Sequence, residues 1–565
     1  MQPSAMTELP DPSAQGESLS LSARIRKYIF HYFLPIPALL VLFGIHLPPL
    51  AAGFVIPFKT DIRHMDFIAS PWGGLDHFRR LFRDPLFGHA LANTIVIKLS
   101  AALLCGFAAL GLGLALHSLR SRRLKGGLAV LFLVPFFIPS AVLLYGVLDL
   151  LPAGFVLQPD GFPLGVGARA RLLAIALLVL KTCGIPAALA MLAAGTCAGR
   201  AAVPAALRAV AAFVLVQLSG LFSADFDLIR ALGHPLVLES VVTLDDYIFR
   251  TGFQMIDIGL AGAAWMVQFV LQFPLLLAAY FLIRRFLSPG LFGAGREEAA
   301  GQGAAPETAR GRRIAGAAAV STYALCIVLL LYRLYVRPFL LPSDAAAFGD
   351  RMAGTAFCAG VVLVSLAVIF HVLFTAMLAY PLTVRTLPGR GFYKALLLLF
   401  AAAGPMMLQQ FVYFRSLMMW NTVLPYVLLG LFNPASVFVL KEWFNRRFGE
   451  RKHMAERSGQ GEARTMAVLF LPNVWRPLVG LAVLQAAAMW NSFQIPLVYF
   501  SAPALHTPVL AFASLALGFG TGDAPFGDPM VLQAGALAGL PPVLLFLLFS
   551  RWVTAELFVS QIRRH

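Results

Sequence analysis

Ionisable and amide side chains inside long apolar runs are the first residues here that could do chemistry, because burying them in hydrocarbon is costly. Lys98, Lys181, Gln217 and His371 are of that kind. A lysine so placed pairs with a buried carboxylate, snorkels to the interface, or lines a transport path. A proton-driven carrier would need a carboxylate or histidine relay at mid-membrane. Asp and Glu are instead nearly confined to the stretches between the apolar runs. Other chemistries lack their motifs. There is no GxxxxGK[ST] to cradle ATP phosphates, no HExxH and no GxSxG. Cys105, Cys183, Cys197, Cys326 and Cys358 show no CxxC spacing and no nearby His/Asp set, so they read as small packing residues. No catalytic residue, metal or cofactor is expected.

The elements that must position such residues follow from composition. Of 565 residues, 59% are hydrophobic and only 13% charged, with a mean hydropathy of +0.79. A soluble domain carries roughly a quarter charged residues, so the chain is read as a polytopic membrane protein. Crossing a bilayer takes about 20 apolar residues in a helix. Runs of that kind fall near 29–54, 90–117, 127–150, 169–195, 203–222 and 258–283, then near 314–336, 354–381, 391–412, 420–440, 467–489 and 531–556. The fold class expected is all-α, with about twelve transmembrane helices in two tandem groups of six. Residues 1–23 are polar and Ser/Pro-rich, a disordered lead-in with no cleavable signal visible. Residues 288–313 are rich in Gly, Ala, Glu and Arg and read as a solvated linker between a first half (24–287) and a second half (314–565).

The formal charge of +17 would suggest nucleic acid in a soluble protein. Here the basic residues sit in alternate short loops, as the positive-inside rule requires. Arg24, Arg26 and Lys27 precede the first run, Arg120 to Lys125 follow the second, and a further cluster occupies 441–464. The intervening loops hold Asp149, Asp160, Asp225, Asp227, Asp245, Asp246, Asp523 and Asp528. One alternate loop, 55–89, breaks the pattern with Arg79, Arg80 and Arg83. Both termini and the linker are therefore expected in the cytoplasm, and no nucleic-acid partner is expected.

Several motifs then occur in order. Residues 70–82 (SPWGGLDHFRRLF), Asn93 with Thr94, and 245–252 (DDYIFRTG) resemble the permeases of carbohydrate ABC importers, in particular the aldouronate/oligosaccharide branch. In the second half, 379–382 (AYPL), 387–390 (LPGR), 490–492 (WNS) and 539–542 (GLPP) resemble that family's partner permease. The resemblance covers nearly everything after Arg24. It implies two permeases fused in one chain of a bacterial inner membrane, with ATP hydrolysed on separate cytoplasmic ABC subunits. A periplasmic or lipid-anchored solute-binding protein would deliver the substrate.

In that family a cytoplasmic loop, EAA…G…I.LP, docks on the ATPase. In the second half Trp443 and Phe444 open the matching frame. His453, Met454 and Ala455 stand where EAA is expected, Gly459 takes the glycine position, and Leu469, Leu471 and Pro472 close it. His453 replaces the family's Glu, and Ser458 replaces its Asp. Composition agrees: 450–466 is polar, basic and helix-compatible, with Gly459 as a break. The first half departs from the pattern. Only 195–202 separates the apolar runs there, and eight residues at roughly 3.5 Å each cannot build a protruding helix with its connections. Coupling is then one-sided, or another element such as Arg120–Lys125 or the linker takes the ATPase, or ATP-driven transport has been lost.

Sugars are held by aromatic faces and a few amides, and transporter sites lie near mid-membrane. Two polar-aromatic sets are candidates for lining the substrate: Trp490, Asn491, Phe493 and Gln494, and Tyr413, Trp420 and Asn421. Trp and Tyr also collect at membrane interfaces, so each set has a purely structural reading as well. The function expected is sugar import as an ABC permease. The alternative is an ATP-independent membrane scaffold or sensor derived from one.

Overall fold

The computed structural model describes residues 28–60, 69–151, 165–195, 201–283, 285, 310–342, 354–384, 387–404, 406–458, 460–516 and 528–553. Residues 1–23 and most of 288–313 lie outside these. Among the described residues, nine helices are long and apolar enough to cross a membrane. Three bent helix pairs bring the number to 12 if each pair is one crossing. They follow the order of the hydropathy pattern.

The first crossing is a short helix α1 (Ile29–Phe33) running into α2 (Ile36–Val55). After α3 (Asp76–Arg83) come α4 (Pro85–Ser118), the pair α5 (Arg122–Leu133) and α6 (Ser140–Leu148), the pair α7 (Val166–Thr182) and α8 (Gly184–Gly195), and α9 (Ala202–Ser219). Three short helices, α10 (Phe226–Leu232), α11 (Leu238–Val241) and α12 (Leu244–Phe249), lead to α13 (Ile258–Leu282). The second set begins with α14 (Arg310–Tyr335), α15 (Gly354–Leu382), and the pair α16 (Arg390–Ala403) and α17 (Met407–Ser416). Then α18 (Leu424–Gly430) feeds α19 (Pro434–Arg457), and α20 (Glu462–Thr465) leads to α21 (Leu471–Asn491). Last come α22 (Gln494–Tyr499), α23 (Pro508–Ala516) and α24 (Pro529–Trp552).

The third crossing of each set is broken at nearly a right angle, 97° between α5 and α6 and 100° between α16 and α17. Local chemistry explains both. After α5 the chain passes through a tight 3-10 turn at Val134–Phe137, and Ile138 is extended with ψ 131°. Pro139 follows it, and a residue before proline avoids the helical region. At the second break Gly404 takes φ 60° and ψ −158°, which side chains with a Cβ resist. The gentler 43° bend between α7 and α8 has a different cause. Pro186 has no N–H to close the turn on the Thr182 carbonyl, and Gly184 lies so close to α5 that a Cβ would sit 1.9 Å from the Phe132 carbonyl oxygen.

The two sets interlock. α2 packs on α15 and α17 of the second set, and α14 packs on α4, α5 and α6 of the first. The outer limbs of the broken crossings also reach over: α6 meets α23 and α24, while α17 meets α12 and α13. Aromatic contacts seal this seam, with Phe137 stacked on Phe546 at 4.1 Å and Phe253 edge-on to Phe411 at 5.1 Å. Contacts between span ends keep strict alternation. At one end of the bundle His31 meets Tyr380 and Glu462. At the other, Asp149 pairs with Arg337 and Arg80 with Asp257.

The regions following the fourth crossing differ between the sets. In the first, α8 and α9 form a close hairpin through Ala190, Ala194, Ala202, Ala206 and Val210. Only residues 196–201 join them, which agrees with the arithmetic of a connection too short to protrude. In the second, the apolar run expected to end near 440 does not stop there. α19 continues as one helix to Arg457, carrying the basic stretch outward.

Replacing Gly184 with Val should destabilise the protein by about 1–3 kcal/mol through overpacking against the Phe132 carbonyl. Gly126→Ala, where a Cβ meets nothing within 4 Å, should not. Thermal unfolding in detergent, followed by size-exclusion chromatography, checks the pair.

Candidate functional site

Two places gather the candidate residues: an exposed tip on α19, and a polar region where the broken crossings meet. At the tip, His453 and Met454 stand on the last turns of α19 and are exposed, Met454 by 62%; Ala455 is half-buried. The Ser458 N–H closes on the Met454 carbonyl and the Gln460 N–H on that of Ala455, after which the chain re-enters at Glu462. Gly459 lies outside the described residues.

The base of this knuckle is rigid. Phe444 is fully buried and meets Phe470 at 4.8 Å, so the opening and closing parts of the 443–472 frame are pinned together. Trp443 is 7% exposed and covered by the Arg447 guanidinium at 4.7 Å. Leu469 is half-buried, while Leu471 and Pro472 are exposed. Tyr380, from the AYPL motif, is the hub beneath. Its hydroxyl donates to the Glu462 carboxylate at 2.8 Å, its ring stacks on His31 within 3° of parallel, and the Lys452 ammonium lies 4.2 Å from its centre. Lys452 also donates to Thr383 Oγ1 at 2.5 Å, and His31 Nε2 lies 3.2 Å from Glu462 Oε2. A helix end held by hydrogen bonds, stacked rings and a cation over a ring transmits displacement, and an exposed polar end can be gripped.

At the seam, the carboxylates expected in loops prove to be interior. Asp245 and Asp246 are buried, because 220–257 folds back into the bundle as short helices rather than running over its surface. Asp246 is paired with Arg230 at 3.4 Å and Arg250 at 2.6 Å. Asp245 accepts from Gln268 Nε2, the Ala224 N–H and Ser223. Lys181 pairs with Asp225 at 3.2 Å and also donates to Ser140. Of the other candidates inside the spans, His371 is fully buried and its Nδ1 faces the Leu431 carbonyl at 3.2 Å. Lys98 and Gln217 are half-buried.

Asp227 accepts from the Phe493 N–H at 3.3 Å, and its Oδ1 is buried with no hydrogen-bond partner. Burial, and then the Asp225 charge, push its carboxyl up to about 8. Asp225 goes the other way: burial raises its pKa, but Lys181 and hydrogen bonds from the Leu228 N–H and Ser140 outweigh it and leave the net shift downward. One carboxyl of this pair is held charged and the other neutral.

The two polar-aromatic sets are placed as follows. Trp490 is buried, donates its indole N–H to the Ala538 carbonyl at 2.8 Å and packs edge-on to Phe357. Asn491 reaches across the seam to the Phe137 carbonyl at 3.1 Å, with its Oδ1 buried and unpartnered. Phe493 is fully buried, and Gln494 Nε2 contacts Met407 Sδ at 3.3 Å. Tyr413 is half-buried and Trp420 is 46% exposed. Asn421, at φ 57°, accepts from the Ser501 and Ala502 N–H groups and so holds a turn.

A narrow cavity with space for about one water lies elsewhere on the seam. Ser223, Trp265, Gln268, Phe269 and Gln272 face Ala402, Ala403 and Gly404 at the break in the ninth crossing. Trp265 stacks on Phe269 at 5.5 Å. Gln272 is 7% exposed, and its Oε1 is buried without a hydrogen-bond partner. Sequence reasoning overlooked these residues although a signal existed. In 265–273 (WMVQFVLQF) the aromatics at 265 and 269 and the glutamines at 268 and 272 repeat every four residues. At 100° per residue they share one stripe of an otherwise apolar helix.

No protein-family model matches the chain. It is 28% identical over 200 residues to the arabinooligosaccharides transport system permease protein AraQ of Halalkalibacterium halodurans, covering 35% of this chain and 69% of AraQ. It is 32% identical over 124 residues to protein LplB of Bacillus subtilis, covering 22% of this chain and 38% of LplB. Among solved structures, it is similar to a chain of a bacterial ABC transporter involved in import of the acidic polysaccharide alginate. That match has 20% identity and a TM-score of 0.40, and covers 47% of this chain and 99% of the other.

Because Asp227 keeps its proton up to about pH 8 in the folded protein, while an unfolded aspartate loses it near 4, stability falls as pH rises between those limits. Asp227→Asn should remove that slope, melting above wild type at pH 7.5 and converging with it toward pH 4. Parallel melting curves across the range would contradict the assignment.

Proposed function

We propose that this chain, homologous to the permeases of sugar ABC transport systems, is the transmembrane subunit of a bacterial ABC importer for an oligosaccharide. It would sit in the cytoplasmic (inner) membrane with both termini and the linker inside, as two permease halves, 24–287 and 314–565, in one polypeptide. The observation that carries this reading is the α19 tip: exposed, basic, and anchored on a buried base within the frame where the family's coupling loop lies. Separate ATPase subunits grip that tip. Their nucleotide cycle supplies the difference in free energy between inward- and outward-facing arrangements. A solute-binding protein docks on the opposite face, over the loops around 55–89, 223–257 and 495–530.

The seam cavity supports the choice of substrate class. Its aromatic wall of Trp265 and Phe269 offers a face for a sugar ring, and Gln268, Gln272 and Ser223 offer amide and hydroxyl partners. Among the described residues no charged side chain lines it, which favours a neutral glycan. In this closed arrangement it has space for about one water, so a sugar ring enters only when the two sets move apart.

The α8–α9 hairpin favours one specific second reading, an ATP-independent scaffold, because among the described residues the first set shows no comparable tip. Purification separates the two: a stoichiometric ATPase partner supports import, and a chain that purifies alone supports the scaffold. Replacing 453–459 with a Gly/Ser segment should abolish stimulated ATP hydrolysis in the reconstituted importer while the protein stays folded. Gln272→Ala should lower uptake of labelled arabinooligosaccharide about tenfold, the worth of one hydrogen bond of about 1.4 kcal/mol, with the ATPase still bound.

A further inference from the structure

The first crossing touches both candidate places. At its start, α1 carries His31, buried between Tyr380 and the Glu462 carboxylate at the base of the knuckle. Tyr32, beside it, donates to the Pro388 carbonyl at 2.9 Å. At its far end, α2 lies directly on the cavity wall. Gly53 is so close to Trp265 that a Cβ would sit 2.4 Å from the ring, and Phe54 meets Trp265 at 5.8 Å and Phe269 at 5.3 Å, both edge-on. Between these contacts α2 packs on α15 and α17 and reaches α16 through two of its rings. Phe43 and His46 touch Phe400, two residues before the Ala402–Gly404 side of the same cavity. His31 and Gly53 are separated by about 33 Å at 1.5 Å per residue, close to the thickness of the hydrocarbon core.

We propose that the first crossing is a push-rod. Displacement of the knuckle enters it through the His31–Glu462 contact and leaves it through Gly53 and Phe54 against Trp265 and Phe269, changing access to the seam cavity. The inference rests on the import reading for the source of the force. It also answers how the first half, whose short α8–α9 connection leaves little chain to protrude, is driven: its leading helix is fastened to the base of the second half's knuckle. Coupling between distant sites is carried by rigid elements with contacts at both ends, and it must be reciprocal. Along α2 the packing is tight enough for that role, because helix and wall meet without a side chain at Gly53. His31 is thus a positioning residue, acting on the cavity through α2.

The test uses the full chain in lipid nanodiscs, with its native cysteines replaced by alanine and Gln272→Cys as reporter. The reaction rate of that thiol with a water-soluble, positively charged methanethiosulfonate measures access to the cavity. His31→Ala and Glu462→Ala should each change the rate about fivefold, and together no further, as expected of a coupling near 1 kcal/mol through one shared contact. Phe54→Ala, at the other end, should make the rate insensitive to His31→Ala. Thr383→Val, which releases Lys452 from the same base without touching α1, should leave the rate unchanged. A rate indifferent to His31→Ala, additive effects of the pair, or an equal response to Thr383→Val would each overturn the push-rod. If His31→Ala does not fold, Glu462→Gln, which keeps the volume, gives the same readout. Failure of wild type to bind an ATPase would instead sink the import reading, and it is measured separately.

Discussion

Backbone groups freed inside an apolar bundle must find partners within the protein, since lipid offers none. Two crossings broken at right angles, several internal prolines and a run of short helices free many of them. Amide side chains do much of the repair. Asn491 caps the Phe137 carbonyl at the first break, Gln485 that of Gly430, Gln533 that of Pro338, and Asn93 those of Glu239 and Val242. Trp490 does the same for Ala538. Most polar residues in the spans are therefore fasteners of irregular backbone. Gln272, by contrast, is buried beside a cavity with its carbonyl oxygen unmatched.

The count and order of the crossings were legible because each needs an uninterrupted apolar run, and hydropathy reads runs directly. The breaks were not legible in that way. Hydropathy does not distinguish 127–150 from a straight helix, whereas Pro139 and the left-handed Gly404 turn the chain within it or its counterpart. The carboxylates at 225, 227, 245 and 246 look solvated because they cluster between spans. Arg250 lies one turn from Asp246, but their burial also depends on Lys181, Arg230 and Gln268 arriving from farther along the chain, which no local window contains. The short link between α8 and α9 was readable from chain length alone. The AYPL stretch was readable only as a resemblance, and its physical content, a tyrosine ring between an imidazole, an ammonium and a carboxylate, needed the fold.

The two sets share a plan and differ in one region. Both have a broken third crossing whose outer limb reaches over the seam, and both have a first crossing seated on the other set. At the fourth crossing, one set carries its helix on through a charged stretch to Arg457, and the other closes through alanines packed face to face. Alanine at such an interface permits close approach and adds nothing that projects. The asymmetry is thus built from composition, not from a different topology.

The crosswise seating of the first crossing also bears on biogenesis. α2 leaves the ribosome early, yet its partners α15 and α17 are synthesised some 300 residues later. At about 5–20 residues per second, the side of that helix that faces the second set waits on the order of 15 to 60 seconds among lipids for the surface it fits. Translating both sets as one polypeptide ensures that this surface follows in the same stretch of membrane.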